Sequence, residues 1–364
     1  MRIAKETKNS GIEIGLYTLG DMVQDPVTGR SISAGQRMKE VMEAAKLADD
    51  AGLDIFGVGE HHRLDYAISS PSVVLAAIAQ MTKQIKLTSA TSVLSTIDPV
   101  RLFEDFATLD LLSDGRAEII TGRGAFVESF PLFGYDIDDS NALFSENIEL
   151  LLKLNKNERL TWDGQFRASL HNAEIAPRPL QRELPVWVGV GGTLSSAARA
   201  GRLGAGLAMA ILGGDPARFK QLVDVYREAG LEAGHALEDL KVGVTGHGYI
   251  SNTTQQAKEE FYPYYSNYKS VVNEQLGHGG AMMSRVDYDK LTAPDTALFV
   301  GSPQQIVEKI LHQHELFGHQ RFMAQIDIGG LPFEKVAKSI ELLATEVAPV
   351  VRKATKRENV LVGV

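Results

Sequence analysis

The chain contains no cysteine. Disulfides, zinc–thiolate sites, cysteine-ligated iron–sulfur clusters and a cysteine nucleophile are therefore excluded. No apolar run approaches the ~20 residues that span a bilayer, and the opening MRIAKETKNSGIEIG lacks the apolar centre of a secretory signal. Basic charge is not in excess: the formal net charge is −9 and the pI about 5.6, which speaks against nucleic acid as a partner. Tandem repeats and low-complexity segments are missing too. A cytoplasmic enzyme acting on small molecules is the expectation these absences leave. What is present is ordinary globular composition, 44% hydrophobic and 23% charged, over 364 residues, a length that α/β barrels reach as one domain.

Strand and helix signals alternate along the chain. Strand signals fall at 12–19, 55–58, 85–92, 117–121, 186–190, 205–210, 241–250 and 321–326. Helical spacing occupies 38–51, 71–81, 99–112, 194–201, 216–229, 303–317 and 333–351, with Pro71, Pro99 and Pro303 at starts that suit proline. Eight strand–helix units predict a (β/α)8 barrel forming a single domain over 1–364. A doubly wound sheet would usually carry a glycine-rich first turn, which Thr18-Leu19-Gly20-Asp21 is not. Two breaks in the rhythm, about 122–185 and 254–299, read as insertions after strands four and seven; the first holds a helix over 142–154.

Ligands of barrels bind at the carboxyl ends of the strands, and four motifs fall there. Gly59-Glu60-His61-His62 ends the second strand with groups suited to proton transfer or metal ligation. Thr121-Gly122-Arg123-Gly124 ends the fourth, its glycines letting backbone approach a ligand beside one fixed positive charge. Val188-Gly189-Val190-Gly191-Gly192-Thr193 leads into a helix and offers N–H groups and a hydroxyl to an anion, without the lysine of a nucleotide-triphosphate loop. Ser302-Pro303 reads as a plain helix cap. Each glycine motif is equally a turn or cap with no ligand. A metal at His61 and His62 would need later ligands such as His247 and Asp327, and the reading carries no metal site.

The segment LTSATSVLSTIDPVRLFEDFATLDLLSDGRAEIITGRGAFVESFPLFGYDIDDSNALF, with GVGEHH before it and PVWVGVGG after it, resembles the bacterial luciferase-like flavin monooxygenases. The resemblance covers most of the chain from Ile12 onward and is weakest in the second insertion. It implies a barrel binding FMN, with Ala90-Thr91 joined by a cis peptide under the flavin ring. It implies Arg123 with Gly191, Gly192 and Thr193 at the flavin phosphate, and Ala210 and Ile211 near the ring. His61 matches the catalytic acid/base of luciferase, with Glu60 in the cofactor pocket and His62 orienting the flavin or lining that pocket; which histidine does the chemistry stays open. Luciferase has a reactive cysteine where this chain has Gly122. It also has a carboxylate and hydroxyls where this chain has Gly189-Val190-Gly191-Gly192, so backbone N–H groups are implied as the contacts there.

The activity implied is monooxygenation of a small aldehyde- or ketone-like substrate by reduced FMN and dioxygen. The chain shows no second nucleotide-binding fingerprint, so reduced flavin would come from a separate reductase or from NAD(P)H bound transiently. Alternatives are an F420-dependent oxidoreductase of the same superfamily, a non-catalytic flavin-binding subunit, and a metal-dependent barrel hydrolase. The resemblance also implies a homodimer built from the helices over 71–81 and 99–112. The aromatic stretch Phe261, Tyr262, Tyr264, Tyr265 and Tyr268 with the glycines after it reads either as a lid or as a surface helix packed on the barrel.

Overall fold

A computed structural model describes residues 11–124 and 126–356. Residues 1–10, most of the stretch read for a signal, lie outside the described residues, as do the outermost parts of the 1–364 domain. Eight parallel strands close into a barrel: β1 (Glu13–Thr18), β2 (Ile55–Val58), β3 (Lys86–Ser89), β4 (Ala117–Gly122), β5 (Val186–Val190), β6 (Gly206–Ala210), β7 (Val242–Ile250) and β8 (Arg321–Gln325). Each pairs with the next in sequence, and the ring is sealed where Ile14 of β1 lies opposite Phe322 of β8. Because helices cover the outside and side chains fill the inside, these strands are buried on both faces, which is why they read as near-continuous apolar runs.

Alternation along the strands divides the core in two. One set, including Ile14, Leu16, Phe56, Val58, Ile119 and Val188, packs outward on the helices. The other, Tyr17, Ile55, Ile120, Trp187, Ala208 and Met323, fills the barrel interior. Beneath it, at the amino ends of the strands, lies an ion-pair floor. Arg321 meets Glu118 at 2.7 Å and Glu13 at 2.6 Å, and Lys86 meets the same two carboxylates at 3.0 and 2.6 Å. The Trp187 indole donates to Glu118 at 3.1 Å, and the Arg321 guanidinium lies over its ring at 4.3 Å. Burial alone would push the Glu118 carboxyl up, but Arg321 and Lys86 outweigh it and hold it down to about 2.

The helices over Pro71–Met81, Pro99–Leu112 and Pro303–Phe317 begin at their prolines as the sequence predicts. Asp98 caps the second of these, accepting from the N–H groups of Val100 and Arg101 at 2.8 and 3.2 Å. The helix expected over 142–154 runs Ser140–Lys156, packs on the Pro99–Leu112 helix and takes the place of the barrel's fourth helix. An antiparallel hairpin, Arg159–Trp162 with Leu170–Glu174, follows it; it is short and mostly exposed. The last helix, expected to be continuous over 333–351, is Phe333–Leu342, a π-helical turn Leu343–Val347, then Ala348–Thr355. Pro349, which lacks an N–H and crowds the preceding turn, accounts for the break. Between β7 and the Pro303–Phe317 helix, a 22-residue helix, Thr254–Gln275, lies across the barrel mouth.

Candidate active site

At the carboxyl ends of the strands is a cavity of about 550 Å³, lined by residues of all eight strand ends and roofed by the Thr254–Gln275 helix. Glu60, His61 and His62, projecting from the end of β2, lie in one wall. They form two separate pairs. His62 Nε2 is 2.8 Å from Glu60 Oε1, while the Val93 N–H donates to Glu60 Oε2 at 2.9 Å, tying the β2 loop to the segment after β3. His61 Nδ1 is 3.1 Å from Glu128 Oε1. The His61 ring stacks on Tyr66 at 4.0 Å and meets the edge of Phe126 at 5.0 Å, so it is clamped in one orientation. Burial works to raise the Glu128 carboxyl, but the hydrogen bond to His61, a backbone hydrogen bond and the charges of His61 and Arg63 together outweigh this and hold it below the usual carboxylate range. Ionised, Glu128 accepts from Nδ1–H and leaves Nε2 of His61 as the free acceptor.

β3 ends in the cis Ala90–Thr91 peptide, after which Ser92–Val93 rejoin β4; the single strand expected over 85–92 is divided there. Ala90 and Thr91 line the cavity. Glycines make room for them: a Cβ at Gly122 would stand 2.8 Å from Thr91 Oγ1, and one at Gly59 2.8 Å from the Ala90 carbonyl oxygen.

The β4–β5 side is cationic. Arg123 lines the cavity and donates to Asn141 Oδ1 at 2.7 Å. Thr193 caps the Leu194–Arg202 helix without a side-chain capping bond, which leaves its hydroxyl and the N–H groups of Leu194 and Ser195 for a ligand, the Ser196 N–H donating to the Thr193 carbonyl. Gly191 lines the cavity, and a Cβ there would meet nothing within 4 Å. Arg199 stands behind, donating to Ser145 Oγ at 2.9 Å; burial and then the charges of Arg123 and Arg202 lower its pKa. An anionic ligand would relieve that crowding of like charge.

Two expected cofactor contacts are not on the cavity wall. Ile211 is fully buried in the outer core, because strand alternation turns Ala210 and Leu212 inward and Ile211 out. Gly192, at φ +147°, lies just outside the lining between Gly191 and Thr193. The two residues weighed as metal partners also separate. His247 faces the cavity, whereas Asp327 is engaged by Arg37 and the Thr18 hydroxyl, both at 2.6 Å. No cluster of three or more potential metal ligands occurs among the described residues, and no helix among them is long and apolar enough to cross a membrane.

The β7, β8 and β1 strand ends and the roof contribute residues that sequence reading did not single out: Tyr17, Thr245 and Gln325 in the wall, and Lys269 with Val272 in the roof. Glu128 was also unsignalled, since it falls in a loop 67 residues beyond its partner. Of the aromatic stretch, Phe261, Tyr264 and Tyr265 are buried against the fold, as a helix packed on the barrel requires, and Tyr268 lines the cavity.

The sequence matches the family model described as luciferase-like monooxygenase over residues 13–320. It is 23% identical to the oxygenase component of the flavin-dependent trigonelline monooxygenase of Acinetobacter baylyi over 335 residues, 86% of this chain and 90% of that protein. Among solved structures, the monooxygenase RslO1 from Streptomyces bottropensis superposes with a TM-score of 0.81 at 25% identity, covering 93% of this chain and 99% of that one. The oxygenating constituent of 3,6-diketocamphane monooxygenase from Pseudomonas putida, in complex with FMN, gives 0.75 at 24% identity, covering 93% and 98%.

Proposed function

The chain belongs to the luciferase-like monooxygenase family, and we propose that it is the oxygenase of a two-component system, using reduced FMN from a separate reductase and dioxygen on a small aldehyde- or ketone-like substrate. The observation that carries this reading is that one cavity joins a cationic anion site, Arg123 with the Thr193 helix start, to a clamped histidine–glutamate pair. The residues fit the flavin. Arg123, the Thr193 hydroxyl and adjacent N–H groups suit its phosphate, and Ala90, Ile120, Ala208 and Ala210 give an apolar surface to a flat ring. An oxygenase role is named for both the Acinetobacter and the Pseudomonas proteins, a flavin for the first and FMN for the second.

When bound, the flavin supplies the oxygen-activating redox chemistry. The chain's part is positioning, exclusion of water and proton handling. His61 accepts or returns a proton at Nε2, while Glu128 holds the opposite nitrogen. His62, bound to Glu60, fixes the loop that carries His61. The roof helix closes the site: Asn267 donates to the Gln24 carbonyl at 2.9 Å, and Gln275 donates to Asp65 of the β2 loop. Exposed Val73, Met81, Leu111 and Leu112 on or at the ends of the Pro71–Met81 and Pro99–Leu112 helices support a homodimer through that face.

Anaerobic titration with reduced FMN and reduced F420, followed by admission of oxygen, tests the reading. FMN is expected to bind more tightly, and oxygen uptake with an aldehyde present to exceed that of free reduced flavin. Tighter F420 binding, or uptake no faster than the free-flavin rate, sinks it.

A further inference from the structure

The carboxylates in the cavity wall are already paired, Glu60 with His62 and Glu128 with His61. The cation in the roof is not. Lys269 faces the cavity, half-buried, and no hydrogen bond or ion pair ties it to another described residue. Burial alone acts on it, lowering its pKa, with no neighbouring carboxylate to offset the effect. A half-buried ammonium without a carboxylate partner favours a ligand that supplies the counter-charge.

The wall beneath points the same way. His247 and Gln325 are 3% and 1% exposed, both line the cavity, and His247 Nδ1 and both amide atoms of Gln325 have no hydrogen-bond partner. Buried polar atoms are rarely left so, and a ligand or a bound water is their ordinary partner. Burial pushes the His247 imidazole down to about 3, so it is neutral and can offer one N–H. Its ring packs edge-on against Tyr268 at 5.1 Å, next to Lys269 in the chain, and the Lys269 charge is felt at the imidazole.

We propose that Lys269, Gln325 and His247 form a second anion subsite, and that the substrate of the monooxygenase carries a carboxylate held there. The subsite is separate from the cofactor's phosphate site, since β8 lies opposite β4 in the ring of eight. One lysine with neutral donors matches a single negative charge; a dianion would call for more cations, of the kind gathered around Arg123. That the ligand is a substrate rests on the functional reading above; the subsite itself does not.

Calorimetric titration of the full chain, with and without FMN, tests it. The probes are 4-formylbenzoate against neutral 4-formylbenzamide, and 6-oxohexanoate against 6-oxohexanamide. At least one acid is expected to bind about tenfold or more tighter than its amide, the scale of one charge-assisted hydrogen bond. Lys269→Met removes that preference by weakening the acid alone, Lys269→Arg keeps part of it, and FMN affinity stays unchanged in both. Equal binding of acid and amide in both pairs, binding of none of the four, or a preference that survives in Lys269→Met overturns the proposal. Acid preference in a protein that does not bind FMN would leave the subsite standing and remove the monooxygenase reading.

Discussion

His61 and His62 are adjacent and chemically alike, and their partners give them different work. His61 is held at Nδ1 by Glu128 and clamped by Tyr66 and Phe126, with Nε2 left free. His62 spends Nε2 on Glu60, which also takes the Val93 N–H. His61→Asn is therefore expected to lower kcat by about 10²-fold or more, the usual worth of a positioned acid–base group, with FMN affinity unchanged. Glu128→Gln should lower kcat less and shift the pH–rate profile, whereas His62→Asn should act mainly through stability of the loop. Single-turnover kinetics across pH with parallel flavin titration checks all three, and equal effects at both histidines would undo the assignment. The histidines were legible because they sit in a row at a strand end. Glu128 and Lys269 were not, because isolated charged residues in a loop and on an irregularly patterned helix carry no periodicity that says which way they face.

At the level of elements, legibility followed buried pattern and punctuation. β2, β5 and the three proline-started helices fall at the predicted bounds, since short apolar runs and Pro at the first turn are local signals. The Arg159–Trp162 hairpin was not legible, as its strands are only four and five residues long and the second, Leu170–Glu174, lacks two-fold alternation, and Pro263 inside the roof helix hides a continuous element behind a breaker. Glycines at the strand ends were visible as motifs, but only the packed structure shows what each accommodates. Gly122 leaves room for Thr91, and a Cβ there would lie 2.8 Å from its hydroxyl and 3.3 Å from its own Cβ. Gly122→Ala is expected to cost about 1–3 kcal/mol of stability by overpacking and to weaken FMN binding. Adding Thr91→Ala should recover much of both, because the two sites couple through one contact. Denaturant unfolding of the two single variants and the double variant measures this; strict additivity would show that the clash lies elsewhere.

Across the whole barrel, the floor network joins β1, β3, β4, β5 and β8 through Glu13, Lys86, Glu118, Trp187 and Arg321. Its folded-state carboxyl at Glu118 lies at about 2, below the value of an unfolded chain. The stability it contributes is thus fully present above the ordinary glutamate range near ~4.3 and is lost as pH falls from there toward about 2. Glu118→Gln leaves Arg321 short of a buried partner and should cost about 3 kcal/mol at neutral pH, with a flatter loss of stability on acidification than the unaltered chain shows. Melting temperatures at pH 7, 5 and 3 compare the two, and parallel curves would refute a role for this carboxylate in the acid response.

Trp187 closes this floor with its indole beneath the cavity that the strand ends enclose, and the chain has only one other tryptophan, Trp162 in the hairpin outside the barrel. The protein thereby carries its own optical gauge. Ultraviolet emission from Trp187 overlaps flavin absorption, so binding of the proposed FMN in the cavity above it is expected to appear as quenching of that light, and its departure as recovery. A Trp162→Phe background would leave the signal to the barrel indole alone, with no dye and no attachment chemistry.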